Sequence, residues 1–137
     1  MSSKRKKIRQ AVKSALDGKL PLNTKVFSNR LGAYFQTELP AVSIFMRSET
    51  AEPRDLSSGT YQRTLQLSIE ITDEALEGLD DNLDQIAAKI EELVTADPSF
   101  QGEVLGSVLT GSEMELSADS TTPVGTLTLN YELKYIG

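Results

Sequence analysis

The sequence predicts an α+β domain. Its core is a single-layer mixed or antiparallel sheet of about five strands, with two main helices packed on one face. Three stretches carry that prediction. In Thr60–Ile71, Leu65, Leu67, Ile69 and Ile71 alternate with Thr64, Gln66, Ser68 and Glu70. Successive strand side chains point to opposite sides, so this strand has one dry face and one wet face. Leu79, Leu83, Ile86, Ala87, Ile90, Leu93 and Val94 recur at helical spacing and gather into one stripe, a cover for the dry face. Thr126–Tyr135 repeats the strand pattern, with Leu127, Leu129, Tyr131, Leu133 and Tyr135 set against Thr128, Asn130, Glu132 and Lys134.

In chain order, Ser2 or Ser3 caps a first helix that runs to about Leu16. Ile8, Ala11, Val12, Ala15 and Leu16 share its apolar face, and Gly18 suits the left-handed residue that ends helices. The Leu20-Pro-Leu22 connector leads to a short strand at Lys25–Phe27. Ser28–Leu39 has no clear period, although Leu31, Tyr34 and Phe35 are available to pack. Pro40 breaks any helix, and Ala41–Arg47 reads as a strand with Val42, Ile44 and Met46 on one side.

Ser48–Gly59 is polar and reads as the long tip of a hairpin joining this strand to Thr60–Ile71. It exceeds the usual hairpin loop of ~2–5 residues, and long tips of this kind often bind. Asp80, Asp81 and Asp84 sit near the start of the second helix, where the macrodipole favours negative charge. Asp97-Pro98 stops that helix. Val104–Leu116 reads as a strand interrupted by a bulge at Gly106 or Gly111. Ser117–Gly125, which contains Asp119 and Pro123, is a second long polar loop. The order is α-β-β-β-α-β-β in one domain spanning 1–137.

Composition narrows the chemistry. The chain has 137 residues, net charge −6, no cysteine and no histidine. Disulfides, thiolate metal sites and every Ser-His or Cys-His nucleophile are therefore excluded. No apolar run approaches the ~20 residues of a membrane span, and the basic start lacks a signal-peptide core. A protein made and kept in a cytosol, with no membrane partner, is expected. No phosphate loop, dinucleotide fingerprint or nucleophile elbow is present. The Glu113 and Glu115 pair lacks a third ligand, so no metal site, cofactor or catalytic residue is assigned.

Charge is unevenly spread: residues 1–30 hold nine basic groups and one acidic, and the remainder five basic and nineteen acidic. This asymmetry suits either surfaces of opposite sign that meet between copies or contact with nucleic acid. Aromatics do not interleave with the basic run, and no helix-turn-helix pattern surrounds it, so DNA contact would be non-specific.

Several segments together carry a family resemblance. They are Arg9-Gln-Ala-Val-Lys-Ser-Ala-Leu16, Leu39-Pro-Ala-Val-Ser-Ile-Phe45, the Tyr61–Ile71 strand, the second helix, and Leu127-x-Leu129-x-Tyr131-x-x-x-Tyr135. Over nearly its full length the chain resembles the tail terminator proteins of long-tailed bacteriophages, the lambda-type minor tail protein U family. That resemblance implies a structural role without catalysis. The protein would form a hexameric ring on the finished tail tube, stop polymerisation and present a surface for head joining. Its implied partners are other copies of itself, the tail tube protein and a head-completion or connector protein. Its implied place is the head-proximal end of the virion tail, after assembly in the host cytoplasm.

On this reading Arg47, Glu49, Glu52, Arg54 and Asp55, at or beside the hairpin tip, are candidate contacts to a neighbouring subunit or the tube. Lys4, Arg5, Lys6 and Lys7 would face an acidic neighbour or DNA in the lumen. The alternatives are another head–tail connector or tail-completion protein, and a nucleic-acid-binding accessory protein acting through the basic start. A small enzyme using Glu70 or Glu113 ranks last.

Overall fold

The computed structural model describes residues 3–30, 34–57, 59–117 and 122–137. Helix α1 spans Lys4–Leu16, strand β1 Lys25–Ser28, β2 Ala41–Pro53, β3 Tyr61–Glu74, helix α2 Leu79–Ala96, β4 Gly106–Ser117 and β5 Val124–Ile136. A short 3₁₀ turn, Gln36–Glu38, precedes a cis Leu39–Pro40 bond at the entrance to β2. The strands form a five-stranded sheet in the order β1-β2-β3-β5-β4. Only the β1–β2 pair is parallel; the other three pairs are antiparallel.

The alternation read in the sequence builds the core. In register across the sheet, Val42, Ile71 and Leu127 form one row, Ile44, Ile69 and Leu129 the next, and Met46, Leu67 and Tyr131 the third. Helix α1 covers the β1–β2 side with Ile8, Val12 and Leu16. Helix α2 covers β3 and β5 with Leu83, Ile86 and Ile90. All six of these helix side chains are fully buried, each contributing about 1.5–3 kcal/mol of gross burial. Strand β4 lies at the margin of α2, outside the main helix contacts.

Local signals set the helix ends. The Lys6 amide donates to Ser3 Oγ at 3.1 Å, so Ser3 is the cap of α1. Gly18, at φ 74°, takes the left-handed turn just beyond its end. Gly125 allows a close approach: a Cβ there would lie 2.9 Å from Leu83 Cδ1 and 3.0 Å from Leu116 Cδ2. Its bare backbone lets the first turns of α2 settle onto β5.

Three expectations need correction. The first half of the polar stretch expected as a long tip is strand. β2 continues to Pro53, in register with Tyr61, and the connection shrinks to residues 54–60. Ladder hydrogen bonds need no apolar side chain, so Ser48, Thr50 and Glu52 extend a strand that hydropathy alone ends at Arg47. Second, Val104 is buried in the turn before β4, which starts at Gly106. The bulge falls at Thr110, beside Gly111, between the Leu109 and Gly111 pairings. Third, the side of the sheet away from the helices is not uniformly wet. Ser43 and Ser68 are fully buried there, bonded to the Arg30 amide at 2.9 Å and to Asn130 Oδ1 at 2.8 Å. Ser2, Leu31, Ser58 and Asp119 lie outside the described residues.

Candidate assembly interface

The far half of β2 carries the first constellation. A register shift between Met46 and Ser48 turns Glu49 onto the helix side, opposite Leu65. Its side chain, only 12% exposed, meets Arg5 of α1 at 2.7 Å and Arg63 of β3 at 3.0 Å. The Tyr135 hydroxyl of β5 donates to the same carboxylate. One acid thus ties α1 to the three central strands. Hydrogen bonds from Arg5 chiefly, then from Tyr135 and Arg63, overcome burial and hold Glu49 down to about 2. Burial first, and then the hydrogen bond to Glu49, push the Tyr135 hydroxyl up. With Arg5, Arg63 and Tyr135 all bonded to its carboxylate, Glu49 can lock the hairpin against the N-terminus.

Two of the sequence-derived sets therefore meet inside one chain, through Arg5 and Glu49. Lys4 also has an internal partner, Glu103, at 3.0 Å. Lys6 and Lys7 are exposed and form no ion pair among the described residues. Glu52 is exposed on β2, and Arg54 and Asp55 stand on the short connection beyond it. Asp55 accepts from the Ser57 amide at 2.9 Å, an Asx turn that shapes the tip. Leu56 projects from that tip 103% exposed.

Arg47, exposed at the bulge, faces the opposite side of the sheet. It lines a shallow depression of about 250 Å³ with Phe45, Glu70, Glu113 and Glu115. Burial, and then repulsion from Glu115, raises the Glu70 carboxyl above its ordinary 4.5. Among the described residues no group of three or more ligands has a metal-holding arrangement.

Sequence reasoning missed Arg63, Tyr135 and Glu103. Arg63 shares the parity of Leu65 and Leu67, and Tyr135 that of Leu133, so both point toward the helices. A charge continuing an apolar parity was the available signal. Also missed was a cluster beside β1. There Arg30 grips Glu38 with two bonds of 2.6 Å, and its guanidinium lies 5.0 Å from the Phe27 ring and 5.1 Å from the Tyr34 ring. This staple, with the Arg30 amide donating to Ser43 Oγ, holds Arg30 and Glu38 beside β1 and β2.

Strand β4 is the least covered element. It is an edge strand of 12 residues, exposed along nearly all its length, and no described strand pairs with its outer side. Leu109, Met114 and Leu116 share the helix side of the sheet at the margin of α2 and stay largely exposed; Val108 faces the other way. At its far end Leu116 borders a groove of about 510 Å³, lined also by Ala75, Leu76, Leu79, Asp80, Asp81 and Pro123. A long exposed edge with several apolar side chains and an unpaired outer side is a template for another chain.

Among curated proteins none matches the sequence. The protein family described as phage minor tail protein U matches residues 3–135, nearly the whole chain. The match takes in both helices, all five strands and the Glu49 hub. By that match the chain belongs to the phage minor tail protein U family and has a structural role in a phage tail.

Proposed function

We propose that the protein is the tail terminator. Copies of it close into a ring, six by the resemblance to known terminators, on the head-proximal end of the tail tube. The ring stops tube polymerisation and offers its other face to the head-completion or connector protein. The observation that carries this reading is β4: a 12-residue edge with exposed Leu109, Met114 and Leu116, in a family of tail proteins. Such an edge is covered when copies or tube subunits pack against it. A ring further needs a head-to-tail contact between different patches of identical subunits. The basic α1 side and the acidic remainder of the chain provide patches of opposite sign. Stopping growth requires that one face fit the tube and that the opposite face fit no tube subunit.

Deleting the gene tests this directly. The expected result is overlong tails without heads, reversed when purified protein is added to growing tubes. Tails of normal length in the deletion would reject the terminator and favour another connector role. For DNA contact, the ion pairs at Lys4 and Arg5 leave Lys6 and Lys7 as the free charges of that run. Neutralising about two phosphates gives a salt slope of about 2 for each copy that touches DNA, and measuring that slope tests the contact.

A further inference from the structure

We propose that the groove beside the start of α2 receives the β2–β3 hairpin tip of a second copy of this chain. Leu56 of one copy seats against Leu76, Leu79 and Leu116 of the next, and Arg54 faces Asp80 and Asp81. This names a seam within the ring proposed above and rests on that reading.

The tip has the form of an anchor. Leu56 is the most exposed large apolar side chain described, at 103%. The Asx turn at Asp55 and the bond from the Arg54 amide to the Thr60 carbonyl, at 3.2 Å, hold the base of the loop in place. With the base so fixed, docking need order little more than the leucine side chain itself. The groove has the complementary form. Leu76 is 76% exposed and Leu116 61%, and both border the 510 Å³ space. Asp80 and Asp81 rim it, while Arg54 makes no ion pair among the described residues. Charge therefore orients the insertion that apolar contact stabilises.

Position dictates that the contact is between copies. The tip lies at the Tyr61 end of β3, and the groove at its Glu74 end. These are separated by a strand of 14 residues, roughly 45 Å at the usual rise. No chain can seat its own tip in its own groove. A contact between opposite ends of identical chains is head-to-tail, the class of interface that closes into rings.

The absence of cysteine allows a direct test by disulfide capture. Leu56→Cys and Leu76→Cys are made in separate chains, both at exposed positions that the fold does not need, then mixed and oxidised. The expected result is a mixed disulfide in about tenfold higher yield than Leu56→Cys gives with itself or with Val108→Cys, because docking raises the local thiol concentration. Adding Arg54→Glu to the first chain lowers the yield, and Asp81→Arg in the second restores it. Equal yields across all pairings would overturn the proposal and assign the groove to another partner. If tails were still overlong on deletion, the ring would survive with a different seam. A strong mixed disulfide alongside normal tails on deletion would instead keep the pairing and remove the terminator reading.

Discussion

Strands β3 and β4 both pair antiparallel to the sheet's other long strands and both carry spaced aliphatic side chains, yet they meet opposite fates. β3 lies between β2 and β5 beneath the helices, and Leu67, Ile69 and Ile71 are fully buried. β4 has β5 on one side and nothing described on the other, and Leu109, Met114 and Leu116 stay exposed. The difference arises from where α2 ends its reach, over β3 and β5. An aliphatic side chain stabilises a monomer only where something covers it. On β4 the same residue types leave their apolar area in solvent, which is why the proposed assembly contact uses this edge.

The sharpest way to break the comparison is to truncate both strands. Leu67→Ala is expected to destabilise the chain by about 2–5 kcal/mol, through lost transfer energy and a cavity. Leu116→Ala should remain within about 0.5 kcal/mol, as exposed substitutions do. Urea unfolding of dilute protein measures both. If Leu116→Ala cost as much as Leu67→Ala, β4 would have a cover within the monomer and the contrast would be gone.

The next largest effect sits on β2, where inner and outer character change within one strand. Removing Glu49 leaves Arg5 and Arg63 facing each other beside Tyr135. Glu49→Ala is expected to cost roughly 1–3 kcal/mol, allowing for solvent screening at the half-exposed Arg5. The hub also predicts an acid limb. Glu49 titrates near 4.5 when unfolded and at about 2 when folded. A lowered carboxyl stabilises fully above its unfolded value, so this contribution fades as pH falls from about 4.5 to 2. Wild-type stability should fall across that window more steeply than that of Glu49→Ala; parallel curves would show that the hub is not formed in solution.

At the junction of the covered and uncovered strands sits Gly125, between Leu83 and Leu79 of α2 and Leu116 of β4. Gly125→Ala pushes a methyl into these three side-chain ends. Each end can rotate, so the expected cost is about 1 kcal/mol, at the low end for overpacking. The same shift disturbs the groove at Leu79 and Leu116, so assembly measured by light scattering should weaken more than monomer stability does. Weakening in proportion would place the groove outside the interface.

Much of this contrast was legible in the sequence, and the illegible part has a common cause. The period-two rows of β3 and β5 and the stripe of α2 announce the core because burial writes itself in hydropathy. The second half of β2 was hidden, since its strand is held by backbone pairing while its side chains are polar. Glu49 reaches the hub only because the Arg47 bulge inverts the parity after Met46, and no spacing rule marks where a bulge falls. The exposure of β4 was equally hidden. Val108, Leu109, Met114 and Leu116 look like core in a list of residues, and only the lateral reach of α2 decides otherwise. The basic start was visible, but its division into internally paired Lys4 and Arg5 and open Lys6 and Lys7 depends on partners far along the chain.

The smallest expected effect separates the two faces of the sheet by the sign of a single carboxyl. Glu70 stands with Glu113 and Glu115 on the side away from the helices, with Arg47 across the same depression. Burial and then the Glu115 charge raise it, opposite to Glu49. A carboxyl raised by folding binds its proton more tightly in the folded chain, so it opposes folding when ionised. That penalty is present above its folded value and is relieved as pH drops toward the unfolded value. Glu70→Gln should therefore stabilise the monomer by about 0.5 kcal/mol or less at pH 7, and the advantage should shrink near pH 4. Added salt should narrow it as well, because repulsion among the glutamates is screened. Were Glu70→Gln destabilising at pH 7, Arg47 would be acting as a partner to Glu70. The open face would then resemble the Glu49 hub, with a paired acid on each side of the sheet.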